Sequence, residues 1–170
     1  MNYKWIGGIL IVLGCGGFGI RMAAAHRREE AAIRELIGAL DLMECELQYH
    51  LTPLPELCRQ AGAECRGNLR RVLYLLSDEL NAQIAPDVCS CMLSALAQGG
   101  ELPLIVKEQL LCLGRSMGRF DLDGQLKGLE AVRSNCRQKL TQLTENKEVR
   151  LRSYQTLGFC AGVALAILLI

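Results

Sequence analysis

The sequence predicts an all-α protein: an antiparallel six-helix cytoplasmic bundle, residues 26–153, flanked by an N-terminal transmembrane helix, 1–25, and a C-terminal one, 154–170. Three observations carry this. Apolar residues recur at helical spacing through the middle of the chain, both ends are apolar with almost no charge, and no period-2 alternation is long enough for a sheet. The mean hydropathy of +0.20 and the low aromatic content, 5%, favour Leu/Ala-rich helices over a β core.

Trp5 to Ile20 is the first apolar stretch, with Tyr3, Lys4 and Trp5 as interfacial anchors on one side and Arg21, His26, Arg27 and Arg28 on the other. Sixteen residues give about 24 Å of helix against a hydrocarbon core of about 30 Å, and Met22 to Ala25 extend it toward a full span. The second stretch, Leu157 to Ile170, has no charge and follows Arg150 and Arg152. Positive charge thus flanks both segments on the side of the middle, which by the positive-inside rule is cytoplasmic with both termini outside. Without Lys4, eighteen Lys/Arg balance eighteen Asp/Glu, so nothing attracts nucleic acid in general. The nine cysteines, without a C-x-x-C, fit a reducing compartment better than a disulfide framework.

The first helix continues from the apolar end through about Arg21 to Leu51, with Ile33, Ile37, Leu40, Met43, Leu47 and Leu51 on one face. Thr52 is the expected N-cap of a short second helix, with Pro53 and Pro55 in its first turn and Gly62 at its end. A third helix, about Cys65 to Leu80, buries Leu69, Val72, Leu73, Leu76 and Leu80, and Asn81 to Ala85 is read as a loop. Pro86 and Asp87 begin a fourth helix that reaches Gln98 and stops at Gly99 and Gly100. Leu102 and Pro103 introduce a fifth, Leu104 to about Met117, with Val106, Leu110 and Leu113 inward. Gly118 breaks it and Asp121 caps the sixth, whose seam is Leu122, Leu126, Leu129, Val132, Cys136, Leu140 and Leu143.

Several motifs have competing readings. Gly14, Gly16 and Gly19 match G-x-G-x-x-G after an apolar run, but no second strand ending in an acidic residue follows, so a dinucleotide site is rejected for a glycine-rich membrane helix. A lipoprotein site at Cys15 and a signal-peptidase site at Ala23 to Ala25 are both opposed, by the apolar residues after Cys15 and by the basic run after Ile20. Cys15 with Gly19, and Gly158 with Gly162, are small-residue pairs suited to close helix contact, within one chain or in a homo-oligomer. His26 and His50 are too far apart on one helix to share a site, and no zinc, phosphate-loop or nucleophile-elbow pattern occurs, so no catalytic, cofactor or metal residue is assigned. The acidic cluster Asp41, Glu44 and Glu46 and the basic cluster Arg66, Arg70 and Arg71 read first as solvated faces, and otherwise as partner surfaces or as clusters that meet each other.

Leu54 between Pro53 and Pro55, and above all the run from Leu113 to Gln125 with Gly114, Gly118, Asp121 and Gln125 in fixed order, resemble the stage III sporulation protein AB family. The resemblance spans essentially the whole chain; one departure is Asp123 before Gly124, where the family pattern is nearer Glu-Gly. That family is in turn similar to the inner-membrane platform proteins of type II secretion and type IV pilus systems. The resemblance implies a non-enzymatic membrane platform in the complex joining mother cell and forespore, in the mother-cell membrane. Its implied partners are the lipid bilayer, a secretion-type ATPase (the stage III sporulation AA protein) and other members of that complex. The turn formed by Gly114, Gly118, Asp121 and Gln125 is its candidate structural or partner contact. A two-span helical sensor is the alternative, and it requires a convergent set of buried polar residues, which the pattern does not show.

Overall fold

A computed structural model of the chain describes the backbone of residues 2–83, 87–117 and 122–169, and the side chains of 26–83, 87–117 and 122–145. Six α-helices and no strand occur among the described residues: α1 (Asn2–His50), α2 (Leu54–Glu64), α3 (Gly67–Ala82), α4 (Val88–Gln98), α5 (Leu104–Ser116) and α6 (Leu122–Leu169). They divide into two compact units. Glu29–Leu140 is the helical bundle, and Met1–Arg28 with Thr141–Ile170, the two apolar helix ends, is the other. Among the described residues no helix is long and apolar enough to cross a membrane. The side chains of the two apolar stretches, 5–20 and 157–170, lie outside the described residues.

Each helix of the bundle buries the stripe that its periodicity marks. On α1 this is Ile33, Leu36, Ala39, Leu40, Met43 and Leu47, with Leu40 fully enclosed. Ile37 is only half-buried, because Leu36 and Ala39 take the centre of the stripe. Leu51, expected on that face, is instead 64% exposed: the chain leaves the helix there with φ +52°. Leu69, Val72, Leu73 and Leu76 of α3 are buried as expected, while Leu80, near the helix end, is only half-buried; Val106, Leu110 and Leu113 of α5 are buried as expected. Leu129, Val132 and Cys136 form the buried centre of the α6 seam, while Leu126, Leu140 and Leu143 are half-buried and Leu122 is exposed. In sequence order α2 packs on α3, α3 on α4 and α4 on α5.

The helix ends follow local chemistry, with three corrections. Asp87 caps α4, its carboxylate accepting from the Ser90 amide at 3.3 Å and the Ser90 hydroxyl at 2.6 Å. Pro103 opens α5, where a missing amide donor is harmless. Thr52, however, does not cap α2; Pro53 holds that position, and the Thr52 hydroxyl donates to Glu46 of α1 at 3.0 Å. Nor does Gly62 end α2. It is buried inside the helix, where an added Cβ would stand 3.2 Å from the Leu73 Cβ, so its role is the close approach of α3. The stretch read as a loop from Asn81 is helical to Ala82, and Gln83 ends α3 in the left-handed region at φ +50°.

Leu129 is 1% exposed and sits at the centre of the α6 seam. Leu129→Ala should therefore destabilise the bundle by about 2–5 kcal/mol, whereas the half-buried Leu140→Ala should cost clearly less. Urea unfolding of both variants followed by far-UV circular dichroism measures the difference.

Candidate functional site

Several polar groups meet at helix–helix seams of the bundle. Asp41 and Glu44 lie one turn apart on α1 and meet two arginines of α6. Arg133 Nη1 is 3.2 Å from Asp41 and bonded also to Glu44; Arg137 Nη2 lies 3.4 Å from Asp41. Arg133 and Glu44 are about three-quarters buried, so their attraction is less screened than that of Arg137, which is 57% exposed. A guanidinium bridging two carboxylates fixes both the rotation and the height of α6 against α1.

Glu46, the third member of the acidic cluster, faces a different task. Its carboxylate accepts from Thr52 and lies 3.3 Å from His50 Nδ1, so it ties the end of α1 to the start of α2. Between them Leu51 adopts φ +52°, a backbone conformation that costs an L-residue about 1–2 kcal/mol and that glycine usually supplies at this position. Tyr49, 72% exposed, precedes it.

The basic cluster does not share these contacts. The Arg66 amide donates to the Glu35 carboxylate of α1, satisfying one free donor at the start of α3. The Arg70 guanidinium lies 5.3 Å from the centre of the Tyr74 ring and 3.3 Å from its hydroxyl, and Arg71 is exposed. Glu35 and Glu64 also edge an open depression of about 510 Å³ floored by Gly38, Ala39 and Leu42.

The turn between α5 and α6 is described in part. Gly114 is buried where α5 crosses α4, and an added Cβ would lie 3.0 Å from the Met92 Cβ. Gln125 is half-buried on the first turns of α6. Gly118 and Asp121 lie outside the described residues. Gly128, which the sequence reading passed over, is a second close approach: a Cβ there would meet the Ser116 Cβ at 2.6 Å.

Sequence reasoning also missed a convergent polar set. Glu79 on α3 is only 8% exposed and accepts from the Ser94 hydroxyl at 2.5 Å and the Gln98 amide at 3.3 Å, both on α4. Its other oxygen, Oε2, is buried without a protein partner. The signal was present, since Glu79 falls three residues after Leu76 on the buried stripe. Among the described residues no group of three His, Cys, Asp or Glu could hold a metal ion.

Burial sets the thiol chemistry. Enclosure pushes Cys58 up to about 12 and Cys65 up to about 12, the latter helped by the carboxylates of Glu35 and Glu64. Cys136 rises to about 11 through burial and then the neighbouring Cys112 thiol. Cys45 and Cys112 are exposed.

The bundle is thus of the class in which charged side chains join helices and small residues set their spacing. Residues 4–170 match the family described as Stage III sporulation protein AB (spore_III_AB), and the chain belongs to that family. It is 24% identical over 168 residues to the Stage III sporulation protein AB of Bacillus subtilis (strain 168), covering 98% of both chains. A solved structure, Stage III sporulation protein AB (SpoIIIAB), shares the fold, with a TM-score of 0.62 at 20% identity over 72% of this chain and 98% of that one.

Three outcomes follow from the seam and the thiols. A double-mutant cycle on Glu44→Gln and Arg133→Gln should give a coupling of about 1 kcal/mol, well above that for Asp41 with the exposed Arg137. At pH 8 a maleimide should modify Cys45 and Cys112 promptly and spare Cys58, Cys65 and Cys136 until the bundle unfolds. Because these three folded-state values lie above the unfolded thiol value, their contribution to stability is complete below about pH 8.5 and is lost as pH rises toward 11–12. Urea titrations across that range read the loss directly.

Proposed function

We propose that this sporulation-family protein is a non-enzymatic membrane platform in a secretion-like complex required for endospore formation. It links a cytoplasmic ATPase to the channel between mother cell and forespore. In this reading residues 1–25 and 154–170 cross the mother-cell membrane, both termini lie outside, and residues 26–153 form an antiparallel bundle in the cytoplasm. The ATPase is the secretion-type stage III sporulation AA protein, with other members of the stage III complex and further copies of this chain as neighbours.

The observation that carries this reading is the continuity of α1 and α6. Each begins or ends inside the bundle and stays helical into an apolar stretch, α1 back to Asn2 and α6 on to Leu169. Backbone that enters hydrocarbon has to satisfy its hydrogen bonds internally, and an unbroken helix does so. The ion pairs support an antiparallel α1 and α6: Asp41 reaches Arg137, while Glu44, farther along α1, reaches the earlier Arg133. A platform role also suits a bundle whose first and last helices are joined by Arg133 and Arg137 to Asp41 and Glu44.

Fusions test the topology. A cytoplasm-dependent reporter placed after Ile170 should be silent and one inserted directly after the exposed Gln83 active; the reverse pattern would sink the two-span arrangement. Retrieval of the ATPase with the detergent-extracted full chain from sporulating cells tests the partner.

A further inference from the structure

Residues 72–106 contain Asp78, Glu79, Asp87 and Glu101 but no lysine, arginine or histidine. Asp78, Asp87 and Glu101 are exposed, and Asp87 has a task as the cap of α4. Glu79 is different. It is 8% exposed, on the side of α3 that meets α4, a helix with no charged residue of its own. Two neutral groups of α4 serve its Oε1: the Ser94 hydroxyl at 2.5 Å and the Gln98 amide at 3.3 Å. The same amide lies 3.0 Å from Ser94 Oγ, so the three side chains close on one another. Glu79 Oε2 is left buried without a protein partner.

A carboxylate taken out of water is ordinarily matched by a cation, because a lone buried charge is costly. No Lys, Arg or His pairs with Glu79 among the described residues. Helix packing explains this. Gly62 of α2 meets Leu73, about 120° round α3 from Glu79, so α2 and its Arg59 lie on another side. Gly114 of α5 meets Met92, about 160° round α4 from Ser94, which puts Lys107 and Arg115 beyond α4. Arg133 and Arg137 of α6 are engaged with Asp41 and Glu44 of α1. The positive charge that balances Glu79 therefore has to come from solution.

The donors fix its kind. The corner offers two carboxylate oxygens, the Ser94 hydroxyl and, with the Gln98 amide turned over, a carbonyl oxygen. Gln98 is exposed, so it covers the corner from the solvent side and can swing aside for an ion to enter. One carboxylate supplies one negative charge, and among the described residues no trio of His, Cys, Asp or Glu adds the donors that a zinc or calcium ion takes. We propose that Glu79, Ser94 and Gln98 form a binding site for one monovalent alkali cation, which partners Glu79 Oε2 and clamps α3 to α4. The site does not depend on the platform reading.

The full chain in detergent micelles at pH 7 is melted in potassium chloride, sodium chloride and choline chloride at equal ionic strength, choline being too large for the corner. The wild type should melt about 3 °C or more higher in one of the alkali salts than in choline, and the gain should saturate with concentration. Glu79→Gln keeps the shape and removes the charge, so it should melt at one temperature in all three salts. Ser94→Ala removes one oxygen and should raise the half-saturating salt concentration by about tenfold. Equal melting of the wild type in the three salts would overturn the proposal and leave water as the partner of Oε2. An alkali-salt gain that persists in Glu79→Gln would overturn it too. If Glu79→Gln does not fold, Ser94→Ala decides, and an unchanged half-saturating concentration there rejects the site.

Discussion

The bundle depends on one guanidinium. Arg133 reaches back 92 residues to Asp41 and also bonds Glu44, and so joins the last helix to the first. Helices α2 to α5 are connected by short turns and pack in sequence order, which needs no long-range instruction. The placing of α6 beside α1 has no such local guide. Apolar stripes such as Leu129, Val132 and Cys136 supply the free energy, but a greasy seam tolerates sliding and rotation. Paired charges one turn apart do not, because a shift leaves a partly buried carboxylate without its cation. The seam therefore sets how the two helices that run on into the apolar ends are related within the bundle.

Much of the fold was legible because periodicity and punctuation agreed. The α5 stripe and all of the α3 stripe but Leu80 were read correctly, and Asp87 and Pro103 mark helix starts with chemistry that acts over three or four positions. Errors arose where a distant element changed a residue's task. Thr52 has the right type and place for a cap, but Glu46 takes its hydroxyl. Gly62 looks like a stop signal and is instead a gap that admits Leu73. Leu51 continues the α1 stripe on paper, and only the turn of the chain carries it outward.

The candidate site was harder to read for the same reason. Asp41, Glu44 and Glu46 form one cluster in the sequence but serve two seams, and Arg133 and Arg137 attracted no notice among the many charges of α6. Which carboxylate meets which arginine is a property of helix packing, and composition does not carry it. Glu79 was closer to detectable: an acid on an otherwise apolar stripe requires a donor, and Ser94 and Gln98 of the next helix provide one each. The family was legible because the Leu113 to Gln125 run combines glycines, an acid and an amide at fixed places.

The nested connectivity has a consequence for how the chain is made. Contacts between α2 and α3, α3 and α4, and α4 and α5 join near neighbours, so loop closure is inexpensive and these hairpins assemble early. The acidic face of α1 has to wait for a helix that emerges from the ribosome about ninety residues later. During that interval the first apolar segment has already emerged, while the counterpart that completes the bundle has not been synthesised. Synthesis thus separates the appearance of the first apolar segment from final assembly of the bundle in time, with Arg133 arriving late.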